Sequence, residues 1–98
     1  MNRKYNKPTM VYIVQMGDQN IFRVGITTPN RRKDRLRVLQ HGNPYKLRVV
    51  FAQEVGEDIA PIMETMFHTK LRKYRAEVND WFHVDLKTIH EILTNINH

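Results

Sequence analysis

The chain contains no cysteine, which removes a disulfide framework, a thiolate zinc site and a cysteine nucleophile from consideration together. It also lacks any apolar run near the ~20 residues needed to cross a bilayer, and its start, Met1-Asn2-Arg3-Lys4-Tyr5, leads into no signal-peptide hydrophobic segment. The expectation is a soluble, cytoplasmic protein with no membrane partner. Glycine-rich phosphate loops, a helical His-Glu-x-x-His pair and acidic calcium-loop spacing are absent. His68, His83 and His90 fall on different elements and without zinc-ligand spacing. No internal repeat or low-complexity tract is present.

What remains is a short and unevenly charged chain. Its 98 residues, 41% of them hydrophobic, suffice for one modest core but not for a catalytic module with a separate recognition domain. Acidic residues are scarce in the first half. Residues 1–53 hold 11 Lys/Arg against 2 Asp/Glu (net +9), and residues 54–98 hold 5 against 8 (net −3), for +6 overall. A basic half of this kind suits a polyanion, because clustered Lys and Arg gain affinity by releasing phosphate counterions. A merely solubilising charge is the alternative.

Residues 1–9 are polar and basic and are expected to form a flexible arm, with a single domain over 10–98. Met10–Met16 is apolar on both alternate faces, as a central strand covered on both sides requires. After the turn Gly17-Asp18-Gln19-Asn20, Ile21–Ile26 reads as its hairpin partner, with Phe22, Val24 and Ile26 on one face and Arg23 and Gly25 on the other. Gly25 gives up packing inside a strand, which predicts a close approach to its backbone. Thr27-Thr28-Pro29-Asn30 opens a helix to about His41, stopped by Gly42-Asn43-Pro44. Leu36 and Leu39 are expected to face the core, with Arg31, Arg32, Lys33, Arg35 and Arg37 around the rest.

Lys46–Gln53 reads as a third strand, with Leu47, Val49 and Phe51 on one face. A helix capped by Glu57 or Asp58 then runs to about Tyr74, with Ile59, Ile62, Met63, Met66 and Phe67 as its apolar stripe. Glu64, His68, Arg72 and Arg75 form a second, polar stripe. Trp81-Phe82-His83-Val84 is a short extended anchor, with Trp81 and Phe82 read as core. Asp85 caps a last helix bearing Leu86, Ile89, Ile92, Leu93 and Ile96. The fold class is α+β: a small three-stranded antiparallel sheet flanked by helices, plus a C-terminal helix.

A strand tyrosine, an arginine-studded helix and an acid with a histidine one turn later are suitable parts for phosphodiester chemistry. A carboxylate holds a hard divalent cation, an arginine neutralises transition-state charge, and a phenol or imidazole handles the proton. Each residue alone also has a plainer explanation. Tyr12 suits an apolar core strand, Arg35 a solvated surface, Gly25 a simple hairpin, and Glu64 with His68 an exposed helix pair.

The order of these pieces resembles the GIY-YIG nuclease superfamily, specifically its compact phage and viral branch. Met10-Val11-Tyr12 occupies the first triplet and Arg23-Val24-Gly25 the second, followed by Gly25-Ile26-Thr27, Arg35-Leu36, Leu39-Gln40, Asn43-Pro44, Glu64 with His68, and Asp80-Trp81-Phe82. The resemblance spans most of residues 10–84. It implies a DNA endonuclease or nickase using one bound Mg²⁺ or Mn²⁺, with Glu64 as metal ligand. By position, Tyr12 would activate the attacking water or shape the site, and Arg35 would stabilise the developing phosphorane charge. His68 would orient Glu64 or assist proton transfer. Arg31, Arg32, Lys33, Arg37 and Gly25 would meet nucleic acid. The first triplet lacks its glycine, and Arg23 replaces the second tyrosine, as is common in the compact branch. The late polar residue of the superfamily has only Asn79 as a candidate. A non-catalytic nucleic-acid-binding module on the same fold, or a phage protein that binds a host protein, remains the alternative. Without a recognition domain, a homodimer or a protein partner would be needed for a defined double-strand cut.

Overall fold

The computed structural model describes residues 8–75 and 81–96, with the side chain of Ile96 excepted. Most of the expected basic arm (1–7), Asn79 and Asp80 lie outside the described residues. Pro8 and Thr9, expected in that arm, instead begin the first strand.

β1 (Pro8–Met16) is the middle of the sheet, and Val11 through Gln15 are all buried. It pairs antiparallel with β2 (Ile21–Thr27) on one side and β3 (Leu47–Gly56) on the other. The sheet has four strands rather than three, in the order β3-β1-β2-β4. The fourth, β4 (Trp81–His83), is the expected extended anchor: Ile21, Phe22 and Arg23 pair with His83, Phe82 and Trp81. Three residues are too few to show a strand period, so only the partner reveals it.

Alternation sends β1 and β2 side chains to two faces. Val11, Ile13, Phe22, Val24 and Phe82 build the core with α2 (Ala60–Leu71) and α3 (Leu86–Ile96). Tyr12, Val14, Arg23 and Gly25 point to the opposite face, toward α1 (Arg32–Gln40). β3 departs from the expected alternation. Ile13 pairs with Phe51 and Val14 with Val49, so Val50 is an extra residue, a β-bulge. The bulge moves Leu47 and Val49 to the α1 face and leaves Phe51 and Val55 against the core, where the Phe51 ring meets Phe67 edge-on at 5.9 Å.

The α1 segment begins with a 3₁₀ turn, Pro29–Arg31, and neither it nor α1 receives the expected side-chain cap from a threonine or asparagine. Gly42, at φ 77°, closes the helix in a left-handed conformation suited to glycine. Gln40 then clamps the loop to β3: its Nε2 donates to the Tyr45 carbonyl at 2.8 Å and its Oε1 accepts from the Leu47 N–H at 2.8 Å. Leu36 and Leu39 are only half-buried, and α1 has no buried residue.

On α2 the apolar stripe is rotated from its expected position. Ala60, Met63, Phe67 and Leu71 face the core, whereas Ile59, Ile62 and Met66 are exposed. Ile59 itself occupies the N-cap position, with no side-chain cap from Glu57 or Asp58. The last turn to Tyr74 tightens into a 3₁₀ helix, Arg72–Tyr74. Asp85 caps α3 as expected, its Oδ1 accepting the Thr88 N–H at 2.9 Å. That bonding to Thr88 holds its carboxyl below the ordinary carboxylate value.

Candidate nucleic-acid interface and reactive groove

Tyr12 lies under α1, only 4% exposed. Its hydroxyl is buried and makes no hydrogen bond among the described residues. The phenol crosses β2 directly over its cross-strand partner Gly25: a Cβ there would stand 2.5 Å from the Tyr12 Oη and 2.6 Å from Cζ. The close approach expected at Gly25 is made by the protein's own Tyr12. A crevice of about 10 Å³ beside the ring is lined by Arg32 and Leu36 of α1, with Thr27 and Val49. That space holds at most about one water.

Arg31, Arg32, Lys33, Arg35 and Arg37 are all exposed. One ion pair, Arg37 to Asp34 at 3.1 Å, is solvent-exposed on both sides, so it removes little of the positive field. Arg35 shares an open depression with Arg31, Thr27 and Thr28. Arg35 and Tyr12 thus stand on the same side of the sheet but in separate depressions.

Glu64 and His68 are one turn apart on α2 and line one groove of about 280 Å³ with Thr65, Thr69, Arg72 and Arg75. Both are half-buried. Phe82 fixes the imidazole edge-on, with centroids 5.4 Å apart at 89°, and His68 Nε2 is buried without a hydrogen-bond partner among the described residues. This groove accompanies the core-facing helix α2, whereas Tyr12 and Arg35 belong to the α1 face. The structure brings Glu64 and His68 together with Arg72 and Arg75 in a groove whose lining shares no residue with the crevice beside Tyr12 or the depression beside Arg35.

Residues 9–97 match the T5orf172 domain. The chain belongs to the T5orf172 domain family. This is a phage-associated domain related to GIY-YIG and HNH-like nuclease folds, and it is associated with nuclease-like and DNA-binding function. No curated protein and no solved structure shows a match. Among the described residues of this T5orf172 domain, no helix is long and apolar enough to cross a membrane.

Two further residues of the T5orf172 domain, Trp81 and Arg75, line a groove on the α1 face. Trp81, expected in the core, is half-buried at the sheet edge, and the Arg23 guanidinium lies 5.9 Å from its ring centroid. Arg23 thus faces the indole across the pairing of β2 with β4, at the distance of a cation–π contact. Arg75 bridges to Phe82 and lines both the Glu64 groove and a larger one on the α1 face. Once β4 is paired with β2, alternation sends Trp81 away from buried Phe82.

Proposed function

We propose that this T5orf172 domain is a DNA-directed, metal-dependent endonuclease with Glu64 as its metal-binding residue. The observation that carries this reading is the groove in which one carboxylate, one imidazole with an orphaned buried nitrogen, and two guanidiniums meet. Its donor set fits a single hard divalent cation such as Mg²⁺ or Mn²⁺. The described residues hold no cluster of three His, Asp or Glu that would make an all-protein cage, and one carboxylate completed by water and phosphate oxygens is an ordinary magnesium arrangement.

When bound, the cation supplies Lewis-acid polarisation of the scissile phosphate. Arg72 and Arg75 bind that phosphate and offset the charge that grows on its oxygens as the P–O bond to the leaving group breaks. His68, held by Phe82, is positioned to take a proton from the attacking water or to orient Glu64. The exposed cations of α1 hold the DNA backbone. Tyr12 and Arg35 act on the same phosphate only if the DNA spans the β2–β4 edge.

The test is nicking of supercoiled plasmid with Mg²⁺ or Mn²⁺, beside Glu64→Ala. Cleavage by the native protein and its loss in Glu64→Ala are expected, with the variant's circular dichroism unchanged. No cleavage with either metal, or full cleavage by Glu64→Ala, would refute this reading. The placement of Tyr12 and Glu64 in separate depressions favours a second reading, a non-catalytic DNA-binding module. It predicts retained, salt-dependent duplex binding without cleavage.

A further inference from the structure

A second groove, on the α1 face, shares only Arg75 with the groove of Glu64 and His68. It is a groove of about 750 Å³ between the end of α1 and the β2–β4 edge, walled by Ile21, Val38, Leu39 and Trp81 and rimmed by His41 and Arg75. Its volume lies within the ~300–1,000 Å³ of small-ligand sites. An apolar slot with an indole in its wall and a guanidinium at its rim matches a planar aromatic ligand that carries negative charge. The adjoining helix is positively charged along its exposed surface, so a polyanion bound there runs past the mouth of the slot.

We propose that this groove takes an unpaired nucleobase of a bound DNA strand, which stacks on Trp81 while Arg75 holds the neighbouring phosphate. The inference rests on the nucleic-acid reading above, and adds to it that the protein selects single-stranded, frayed or gapped DNA over fully paired duplex. A duplex has its bases stacked inward and cannot fill the slot without extruding one. Base stacking on an aromatic side chain is indifferent to sequence, so the groove confers structure preference rather than sequence preference. Arg23, 5.9 Å from the indole centroid, is the positioning residue that sets the plane of the ring.

Trp81 is the single tryptophan of the chain, so its emission reports directly on the groove. The full chain is titrated, in a chelator-containing buffer that blocks cleavage, with a short oligothymidine and with a fully paired hairpin duplex. Saturable quenching by oligothymidine and little change with the duplex are expected. Trp81→Leu, which has no tryptophan and is followed by the anisotropy of dye-labelled DNA, should weaken oligothymidine binding roughly 5- to 150-fold, the range for loss of one stacked base, and leave duplex affinity within about twofold. Val38→Asn, at a position 63% exposed where folding is not at stake, should lower the oligothymidine-to-duplex affinity ratio in the same direction.

Oligothymidine that binds without moving Trp81 emission overturns this inference alone, since duplex binding still stands. Equal losses of both ligands in Trp81→Leu and Val38→Asn also overturn it. Failure to bind either DNA overturns it together with the nucleic-acid reading. A concentration-dependent shift of Trp81 emission without DNA would assign the groove to a second copy of the chain and overturn it as well.

Discussion

The buried hydroxyl of Tyr12 separates a structural tyrosine from a functional one. Burying a hydroxyl without a hydrogen bond costs roughly 1–3 kcal/mol relative to the unfolded chain, where water satisfies it. Tyr12 is 4% exposed, and its hydroxyl has no partner among the described residues. Tyr12→Phe removes that cost and leaves the ring over Gly25. The small void left by the oxygen offsets part of the gain, so a net stabilisation of about 1 kcal/mol is expected. For a domain of this size, that raises Tm by roughly 4–8 °C. The measurement is urea unfolding followed through Trp81, read as a shift in midpoint at unchanged slope, alongside the plasmid-nicking assay on the same preparation. Higher stability with lost nicking marks a hydroxyl kept for chemistry at a cost in stability. A destabilised Tyr12→Phe would refute the reasoning, because it would mean that the hydroxyl is satisfied in the folded protein.

Three further outcomes follow from the geometry. Gly25→Ala places a Cβ 2.5 Å from the Tyr12 hydroxyl, so it should destabilise by roughly 1–3 kcal/mol. Most of that loss should vanish when it is combined with Tyr12→Ala, a coupling that a double-mutant cycle in urea measures. Replacing Arg31, Arg32 and Arg37 together by alanine should flatten the slope of log binding constant against log salt for duplex DNA by about 2 to 3, if each neutralises about one phosphate. An unchanged slope would remove α1 from the interface. Asp85 titrates below its ordinary 3.8 in the folded state because Thr88 bonds to the carboxylate. Its contribution is therefore complete above that value and is lost as pH falls through the lowered one. Thermal melts should show the native protein more stable than Asp85→Asn near neutrality, with the gap closing below about pH 4.

The parts of the fold that were legible in the sequence are those in which side-chain period and burial coincide. Phe22 and Val24 alternate with Arg23 and Gly25, and the hairpin with β1 follows directly. The apolar spacing of α3 and the Asp85 cap are equally local. The errors arise where a partner element decides. On α2, helical spacing allows two overlapping apolar stripes that share Met63 and Phe67. The sheet selects the one containing small Ala60, and Ile59, Ile62 and Met66 are left in solvent. In β3 the bulge at Val50 reverses the facing of Leu47 and Val49, and nothing in that apolar run marks the extra residue. The site shows the same division. The Glu64–His68 pairing is visible as a one-turn spacing, but Trp81 and Arg75 join the α1-face groove only through the pairing of β4 with β2 and the bridge to Phe82.

A helix with no buried side chain is held to its sheet by few apolar contacts, and α1 is such a helix. Its opening free energy is expected to lie below that of the whole domain, so that in hydrogen exchange its amides lose protection before those of β1 and α2. Each lift uncovers the Tyr12 ring that Arg32 and Leu36 cover. A polyanion that tied down the arginines of α1 would therefore also set how often that phenol meets water. Occupancy of the basic helix and access to Tyr12 would then be linked through a single element, a coupling that exchange of the α1 amides with and without DNA measures.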